Sequence, residues 1–265
     1  MRVLGVTFVL PYAEAHSGAG LVMHGEYAAL LERHNLTLVS FAVTEPSEQK
    51  ALAHLRASGV KVYLVGESLP PWFVRTKRQW QRAITSQTST SGSFGGPMYF
   101  DFRMQRLLDH LLAQNSFDLL QVESIGFLDY RFQTDIPSIL VEHEVGRGAQ
   151  HEQSGVLPKQ LALWRQFDRI QVFTPRDASA VRLLAPELAD RVRINPFGVE
   201  LGAEMDRGRE EPGLTVFVGG FNHPPNVDAA LWLVQEIMPI LRRICPSVRL
   251  EIVGNDPPAA VQALA

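Results

Sequence analysis

The chain is poor in the features that mark several protein classes. Its one cysteine, Cys245, excludes an internal disulfide and fits a reducing compartment. A formal net charge of -3 gives no basic excess for nucleic acid. No apolar run reaches the length of a transmembrane helix. We therefore expect a cytoplasmic protein that binds no nucleic acid, and the 46% of hydrophobic residues allows a sizeable core.

The chain also lacks a complete dinucleotide fingerprint. Gly18 and Gly20 fit the first two glycines of such a motif, but the third position holds Met23, and the glycines lie well beyond the preceding strand. A nicotinamide-dependent Rossmann enzyme therefore stays an alternative that the motif does not support. A glycine loop that faces a sugar or a phosphate remains open.

Short apolar runs alternate with segments of helical periodicity along the first two hundred residues. This alternation predicts an α/β fold with a parallel sheet. The first run, residues 3–10, also resembles a weak signal peptide, but its short length favours a buried strand. The expected strands are 3–10, 36–43, 60–65, 117–122, 138–141, 168–174 and one that starts at 192; the expected helices are 21–33, 47–58, 102–114, 157–167 and 175–184.

Residues 67–99 interrupt this alternation. Aromatic and basic side chains mix in residues 72–82, and a polar run follows at 85–93. Such a mixture can touch a membrane surface, which suggests peripheral contact at the inner face of the membrane. A solvated surface helix whose aromatic residues cover the core is the competing interpretation.

The expected strand 138–141 runs directly into Glu142-His143-Glu144. A histidine at the carboxyl end of a parallel strand is well placed for chemistry. Metal binding by Glu142, His143, Glu144 and His151 is a further hypothesis, but their spacing matches no known helical ligand pair. A structural, hydrogen-bonded histidine is the third interpretation.

A second βαβ unit closes the chain after a linker predicted at 204–213. Its first strand, 214–218, ends at Gly219 and Gly220, which allow a sharp turn and close approach of a ligand. We expect Asn226 to cap the helix that follows and Pro239 to kink or split it. Free amides at the start of that helix could bind an anion. The predicted domains are 1–203 and 214–265.

Four segments resemble GT-B glycosyltransferases of the large retaining family 4. Residues 30–39 resemble the end of a helix and the second strand, and 117–123 resemble a strand that contains an aspartate. Residues 194–200, Ile-Asn-Pro-Phe-Gly-Val-Glu, resemble the crossing into the second domain. Residues 217–229, which begin Phe-Val-Gly-Gly-Phe-Asn-His-Pro-Pro, resemble the opening of the donor domain.

The resemblance implies a GT-B fold with a complete N-terminal Rossmann-like domain for the acceptor and the first βαβ unit of a second one for the donor. It implies retaining transfer of a sugar from a nucleotide-sugar to an acceptor that is a glycan, a lipid or a small molecule. It implies no cofactor and no metal. His143 would lie near the transferred sugar, at a cleft where its replacement costs little stability. Gly18, Gly20, Gly219 and Gly220 would approach the donor.

The chain departs from the family pattern in two places. Many members carry an arginine and a lysine after the donor loop, whereas residues 221–226 here read Phe-Asn-His-Pro-Pro-Asn, so His223 or helix amides would have to substitute. The family's paired-glutamate motif would fall beyond Ala265. The resemblance therefore implies a fragment of a longer enzyme, and a non-catalytic remnant that binds a glycan or a partner is the alternative function.

Overall fold

The structure is a computed structural model of the chain. It describes residues 1–13, 18–41, 46–66, 100–114, 116–124, 126–145, 156–198, 211–221 and 223–264. The described residues fall into two compact units, the first up to residue 198 and the second from residue 211. The segment 72–82 and most of the expected linker lie outside the described residues, so both predictions stay untested.

Seven parallel strands form the sheet of the first unit, in the order β3-β2-β1-β4-β5-β6-β7. The predicted α/β class and parallel sheet are therefore confirmed. Strand order reverses between β1 and β4, and in such sheets ligands bind at the carboxyl ends of the strands near this reversal. The strands are β1 Arg2–Val6, β2 Asn35–Phe41, β3 Lys61–Val65, β4 Leu119–Glu123, β5 Ser138–Val141, β6 Arg169–Val172 and β7 Val192–Ile194.

The described helices of the first unit follow the strands in the expected alternation. They are α1 Gly18–Leu31, α2 Pro46–Ala57, α3 Phe102–Ala113, α4 Val156–Trp164 and α5 Pro175–Leu184. Local chemistry explains where α5 begins: Thr174 accepts a hydrogen bond from the backbone N–H of Asp177 at 3.1 Å, and Pro175 needs no donor in the first turn. Helix α1 begins three residues earlier than predicted, at Gly18.

Helices cover both faces of the large sheet. One core contains Leu4 and Val6 of β1 with Leu108 of α3 and Trp164 of α4. The other contains Val3 of β1 and packs under Met23 and Tyr27 of α1. Gly5 makes this second contact possible, because a Cβ there would lie 2.6 Å from the Tyr27 ring.

The second unit contains a two-stranded parallel sheet of β8 Leu214–Val218 and β9 Arg249–Val253. Between the strands lie α6 Pro224–Trp232, a π-helical segment Leu233–Ile237 and α7 Met238–Ile244; α8 Ala259–Gln262 follows β9. The π-helical segment lies directly before the turn that holds Pro239. The predicted split of the helix is confirmed, because Pro239 removes one backbone donor and disturbs the turn before it.

Asn226 does not cap α6, and that prediction is wrong. The helix starts at Pro224 with His223 in the capping position, because two successive prolines suit the first turn, where donors are not needed. Within the described residues, no helix has the length and apolar character needed to cross a membrane.

Candidate functional site

His143 lies at the carboxyl edge of the large sheet, two residues beyond β5. Its ring Nε2 is 2.7 Å from Oε2 of Glu123, the last residue of the neighbouring strand β4. The His143 side chain is 6% exposed and that of Glu123 is 1% exposed. The backbone N–H of His143 also donates to the Ser124 hydroxyl at 3.2 Å. Both the ring and the backbone of His143 are therefore fixed.

This contact determines which ring nitrogen of His143 is left for a further partner. An ionised carboxylate can only accept a hydrogen bond, so Nε2 carries a proton when it bonds to Glu123. Among the described residues, no group bonds Nδ1. The edge of the ring packs on Phe173, with the ring centroids 5.3 Å apart. Nδ1 is therefore the ring nitrogen that can contact a substrate.

Glu123 is also bonded on its other oxygen. Gln121 lies two residues earlier on β4 and therefore on the same face of the sheet, and its Nε2 donates to Glu123 Oε1 at 3.2 Å. The same amide lies 3.5 Å from Glu26 of α1. Gln171 of β6 donates to the second oxygen of Glu26 at 2.6 Å. A continuous polar chain therefore runs from α1 across β4 to His143.

Burial shapes the electrostatics of this chain. It is the main cause that raises the pKa of Glu26 to about 7, and the charge of Glu123 raises it further. The hydrogen bond from Gln171 and the charge of His143 act in the opposite direction. Burial and the same carboxylates hold the pKa of Tyr27 well above its usual value. At neutral pH the Glu26 carboxyl is therefore partly protonated, beside a histidine–carboxylate pair.

Glu142 lies beside this chain in a structural role and reaches the His143 backbone through the Ser124 hydroxyl. Its carboxylate accepts from Trp164 Nε1 at 2.6 Å and from the Ser124 hydroxyl at 2.8 Å. It also accepts from the backbone N–H of Glu144 at 3.1 Å, which fixes the turn after β5. Burial raises the pKa of Glu142. The contacts of Glu142 lie within the core, and this argues against the metal-ligand role considered above.

Gly18 and Gly20 occupy the first turn of α1 and not a loop before it. Gly18 is exposed, with open space where a Cβ would be, and Gly20 is buried. None of the described contacts of His143 reaches either glycine. Helix α1 meets the His143 network two turns further along, through Glu26.

Gly219 and Gly220 follow β8 in the second unit. The Gly219 N–H donates to the Val253 carbonyl at 3.0 Å, and a Cβ on Gly220 would lie 2.9 Å from Asn255 Oδ1. The Asn226 side chain donates to the Gly220 carbonyl at 2.9 Å, and the His223 backbone N–H donates to the same oxygen at 3.2 Å. The turn is therefore held from both sides, directly before the N-terminus of α6.

Sequence reasoning missed Glu26, Gln121, Glu123 and Gln171 as members of the site. A signal for two of them was present: Gln121 and Glu123 alternate within a strand whose other residues are apolar, and buried strands rarely carry such residues without a partner. Glu26 and Gln171 are far apart in the sequence. Only the packing of α1 over the sheet brings their side chains together.

No protein-family model and no curated protein matches the chain. Among solved structures, it is similar to HepE from Anabaena in complex with UDP and glucose, with 12% identity and a TM-score of 0.55 over 100% of this chain and 63% of that chain. HepE in complex with UDP-glucose gives 10% identity and a TM-score of 0.54 over 98% of this chain and 70% of that chain. This likeness establishes the fold, which is of the GT-B type as predicted.

Proposed function

We propose that the chain acts in glycosyl transfer, binding a nucleotide-sugar donor whose sugar passes to an acceptor hydroxyl. The proposal is carried by the buried His143–Glu123 pair, which lies where α/β sheets bind their ligands. It is supported by the fold shared with HepE, a protein solved with UDP and glucose. The chain spans 63% of the length of that neighbour, so the activity of any longer protein belongs to the same proposal.

Two groups of residues have proposed roles in donor binding. Gly219, Gly220 and His223 precede the N-terminus of α6, where the helix dipole suits a diphosphate. Free helix amides, predicted above as the anion site, are scarce there: Pro224 and Pro225 carry no N–H, and the Asn226 N–H donates to the His223 carbonyl at 2.9 Å. Gly18 and Gly20 lie in the first turn of α1, which offers the same kind of site. Charge develops on the diphosphate as the sugar leaves, so fixed N–H groups lower the barrier. No metal and no cofactor are part of this proposal.

We propose retention at the anomeric carbon, on the basis of the family resemblance. In this scheme a protonated His143 donates through Nδ1 to a sugar hydroxyl or to the leaving oxygen. The His143–Glu123 contact also favours a second scheme, in which neutral His143 takes the acceptor proton at Nδ1 and the sugar inverts. Proton NMR of the product during the first turnovers separates the two, because the α and β anomers give distinct signals.

Titration of the purified chain tests the donor class. We expect saturable binding of UDP or a UDP-sugar, followed in calorimetry, and weaker or absent binding of NAD. The same titration with GDP-sugars tests which nucleotide the chain prefers. Saturable NAD binding with no response to nucleotide-sugars would overturn the proposal in favour of the nicotinamide alternative.

A non-catalytic module that binds a glycan or a partner is the rival function. It predicts glycan binding with neither hydrolysis nor transfer of any nucleotide-sugar, whereas the transferase predicts release of UDP or GDP. The acceptor class follows from the same assay, with a glycan, a lipid or a small alcohol as the added acceptor. Peripheral contact with the inner face of the membrane through residues 72–82 remains part of the proposal, tested by co-sedimentation with anionic vesicles.

A further inference from the structure

Glu123 is the centre of the polar chain that ends at His143. Its Oε2 accepts from His143 at 2.7 Å, and its Oε1 accepts from Gln121 at 3.2 Å. Its side chain is 1% exposed, so water does not replace either partner. A buried carboxylate with two fixed donors has one orientation, and that orientation is transmitted to the ring it holds.

The surroundings of Glu123 on the same face of the sheet are unusually polar. The register pairs Val6 with Val122, so Thr7 comes next to Glu123 across the strands. In the same way Val39 pairs with Val6 and places Ser40 beside Thr7. The hydroxyls of Thr7 and Ser40 are buried without a hydrogen-bond partner in the described part of the chain. Such groups are rare in protein cores, where nearly all polar atoms are paired. The buried Tyr27 hydroxyl is close enough to Glu123 and Gln121 to interact with both.

These hydroxyls give the buried Glu123 carboxylate polar neighbours on its face of the sheet. Strands of one sheet lie about 4.8 Å apart, so Thr7 and Glu123 are near neighbours. Glu26 adds a second carboxyl group, linked to Glu123 through the Gln121 amide. Packing of the apolar core does not require these polar groups. Among the described contacts, they reach the edge of the sheet through the His143 ring.

We propose that Glu123 is a positioning residue that selects the tautomer of His143, holding Nε2–H inward and presenting Nδ1 to the donor sugar or the acceptor. Gln121 orients the carboxylate, and Glu26 of α1 lies 3.5 Å from the Gln121 amide on the far side. The role assigned to Nδ1 rests on the proposed glycosyl transfer. The tautomer itself does not, and it is measured without any substrate.

The variant Glu123→Gln gives a sharp test, because Gln121 determines how the new amide is oriented. The Gln121 amide donates to position 123, so the new carbonyl oxygen faces Gln121 and the new NH₂ faces His143. Nε2 must then accept, and the proton moves to Nδ1. The substitution removes the charge of residue 123 and keeps its shape. It changes Nδ1 of His143 from a hydrogen-bond acceptor to a donor.

The experiment uses the full chain labelled with ¹⁵N-histidine, with long-range ¹H–¹⁵N spectra at about pH 8.5, roughly two units above the ordinary histidine pKa. His143→Gln identifies the His143 signals among those of the eight histidines. We expect the Nε2–H tautomer in the unsubstituted chain and the Nδ1–H tautomer in Glu123→Gln. Glu142→Gln is the matched control: this buried carboxylate reaches the His143 backbone through Ser124 but does not bond the ring, so the variant should keep the Nε2–H tautomer.

Donor turnover on the same samples completes the test. We expect Glu123→Gln to lose at least about tenfold in turnover with the dissociation constant for the nucleotide-sugar changed less than about twofold, which corresponds to a loss in the reacting state. In the inverting scheme Nδ1 can no longer accept the proton, and in the retaining scheme the negative charge that stabilises protonated His143 is gone. Glu123→Asp, which keeps the charge, should restore the Nε2–H tautomer.

The outcomes separate this inference from the proposed function. An unchanged tautomer in Glu123→Gln, or an Nδ1–H tautomer in the unsubstituted chain, would overturn the positioning role even if transfer occurs. A tautomer switch in a chain that binds no nucleotide-sugar would support the positioning role and reject the proposed function.

Discussion

The two units differ in the kind of group that they offer to a ligand at the ends of their strands. In the first unit, β1 and β4 have four buried residues each, and the functional groups are side chains held in a buried network. In the second unit, no residue of β8 or β9 is buried, and the candidate site is the backbone turn at Gly219 and Gly220. Buried side chains define geometry only when every partner is in place, whereas a backbone turn needs only its own hydrogen bonds.

The largest expected difference between the units is in packing. Leu120→Ala in β4 removes a fully buried side chain and should lower the free energy of unfolding by about 3 kcal/mol. Val218→Ala in β8, where the side chain is 73% exposed, should change it by less than about 0.5 kcal/mol. Urea unfolding of both variants measures the contrast. Equal losses would show that β8 is as well packed as β4.

The pH dependence of stability should report Glu26 directly. Its pKa is about 7 in the folded chain against 4.5 as the ordinary value, so the folded state keeps a proton that the unfolded state releases. Stability must therefore fall as the pH rises from 4.5 through 7, by about 3 kcal/mol for a group this buried. Glu26→Gln should remove this fall.

The measurement is the difference in unfolding free energy between the two chains at several pH values. The two chains should have similar unfolding free energies near pH 4.5, and the variant should be the more stable of the two by pH 8. A difference that does not change with pH would contradict the raised pKa of Glu26.

His143→Ala should lower donor turnover by about a hundredfold, or about 2.7 kcal/mol in the barrier, if the ring contacts the reacting atoms. The structure disagrees with the prediction that this change costs little stability. The side chain is 6% exposed, and its loss leaves the buried Glu123 carboxylate without that partner. Thermal melts and initial rates per folded molecule separate the two effects. Unchanged turnover per folded molecule would make His143 purely structural.

The smallest expected effect is in the backbone turn of the second unit. Gly220→Ala places a Cβ 2.9 Å from Asn255 Oδ1, a side chain that can shift, so we expect a loss in donor affinity of about fivefold or less. Gly25→Ala is the control, because α1 has open space there and alanine should stabilise the helix by about 0.5–1 kcal/mol. Calorimetric titration with a UDP-sugar measures both. A complete loss of binding would show that the turn contacts the donor much more closely than proposed.

Sequence patterns predicted some elements well and others poorly, for physical reasons. The strand 138–141 and the helix 175–184 have the predicted bounds, because an apolar run and a Thr-Pro start are local signals. The start of α1 was predicted three residues late, since glycine in a first turn looks like a loop. The cap of α6 was misplaced because Asn226 is a good capping residue, but Pro224 and Pro225 fix the start earlier.

The sequence by itself determined the alternation of strands and helices, the parallel sheet and the place of His143 after β5, because these depend on periodicity and on the common direction of parallel strands. Only the tertiary structure decided what His143 bonds to. Glu26, Gln121, Glu123 and Gln171 come from α1, β4 and β6, and their side chains meet because the register of the sheet and the packing of α1 bring them to one face. The contact between Glu26 and Gln171 leaves no local pattern, since each residue alone is an ordinary polar side chain; only the alternation of Gln121 and Glu123 in β4 gave a local signal.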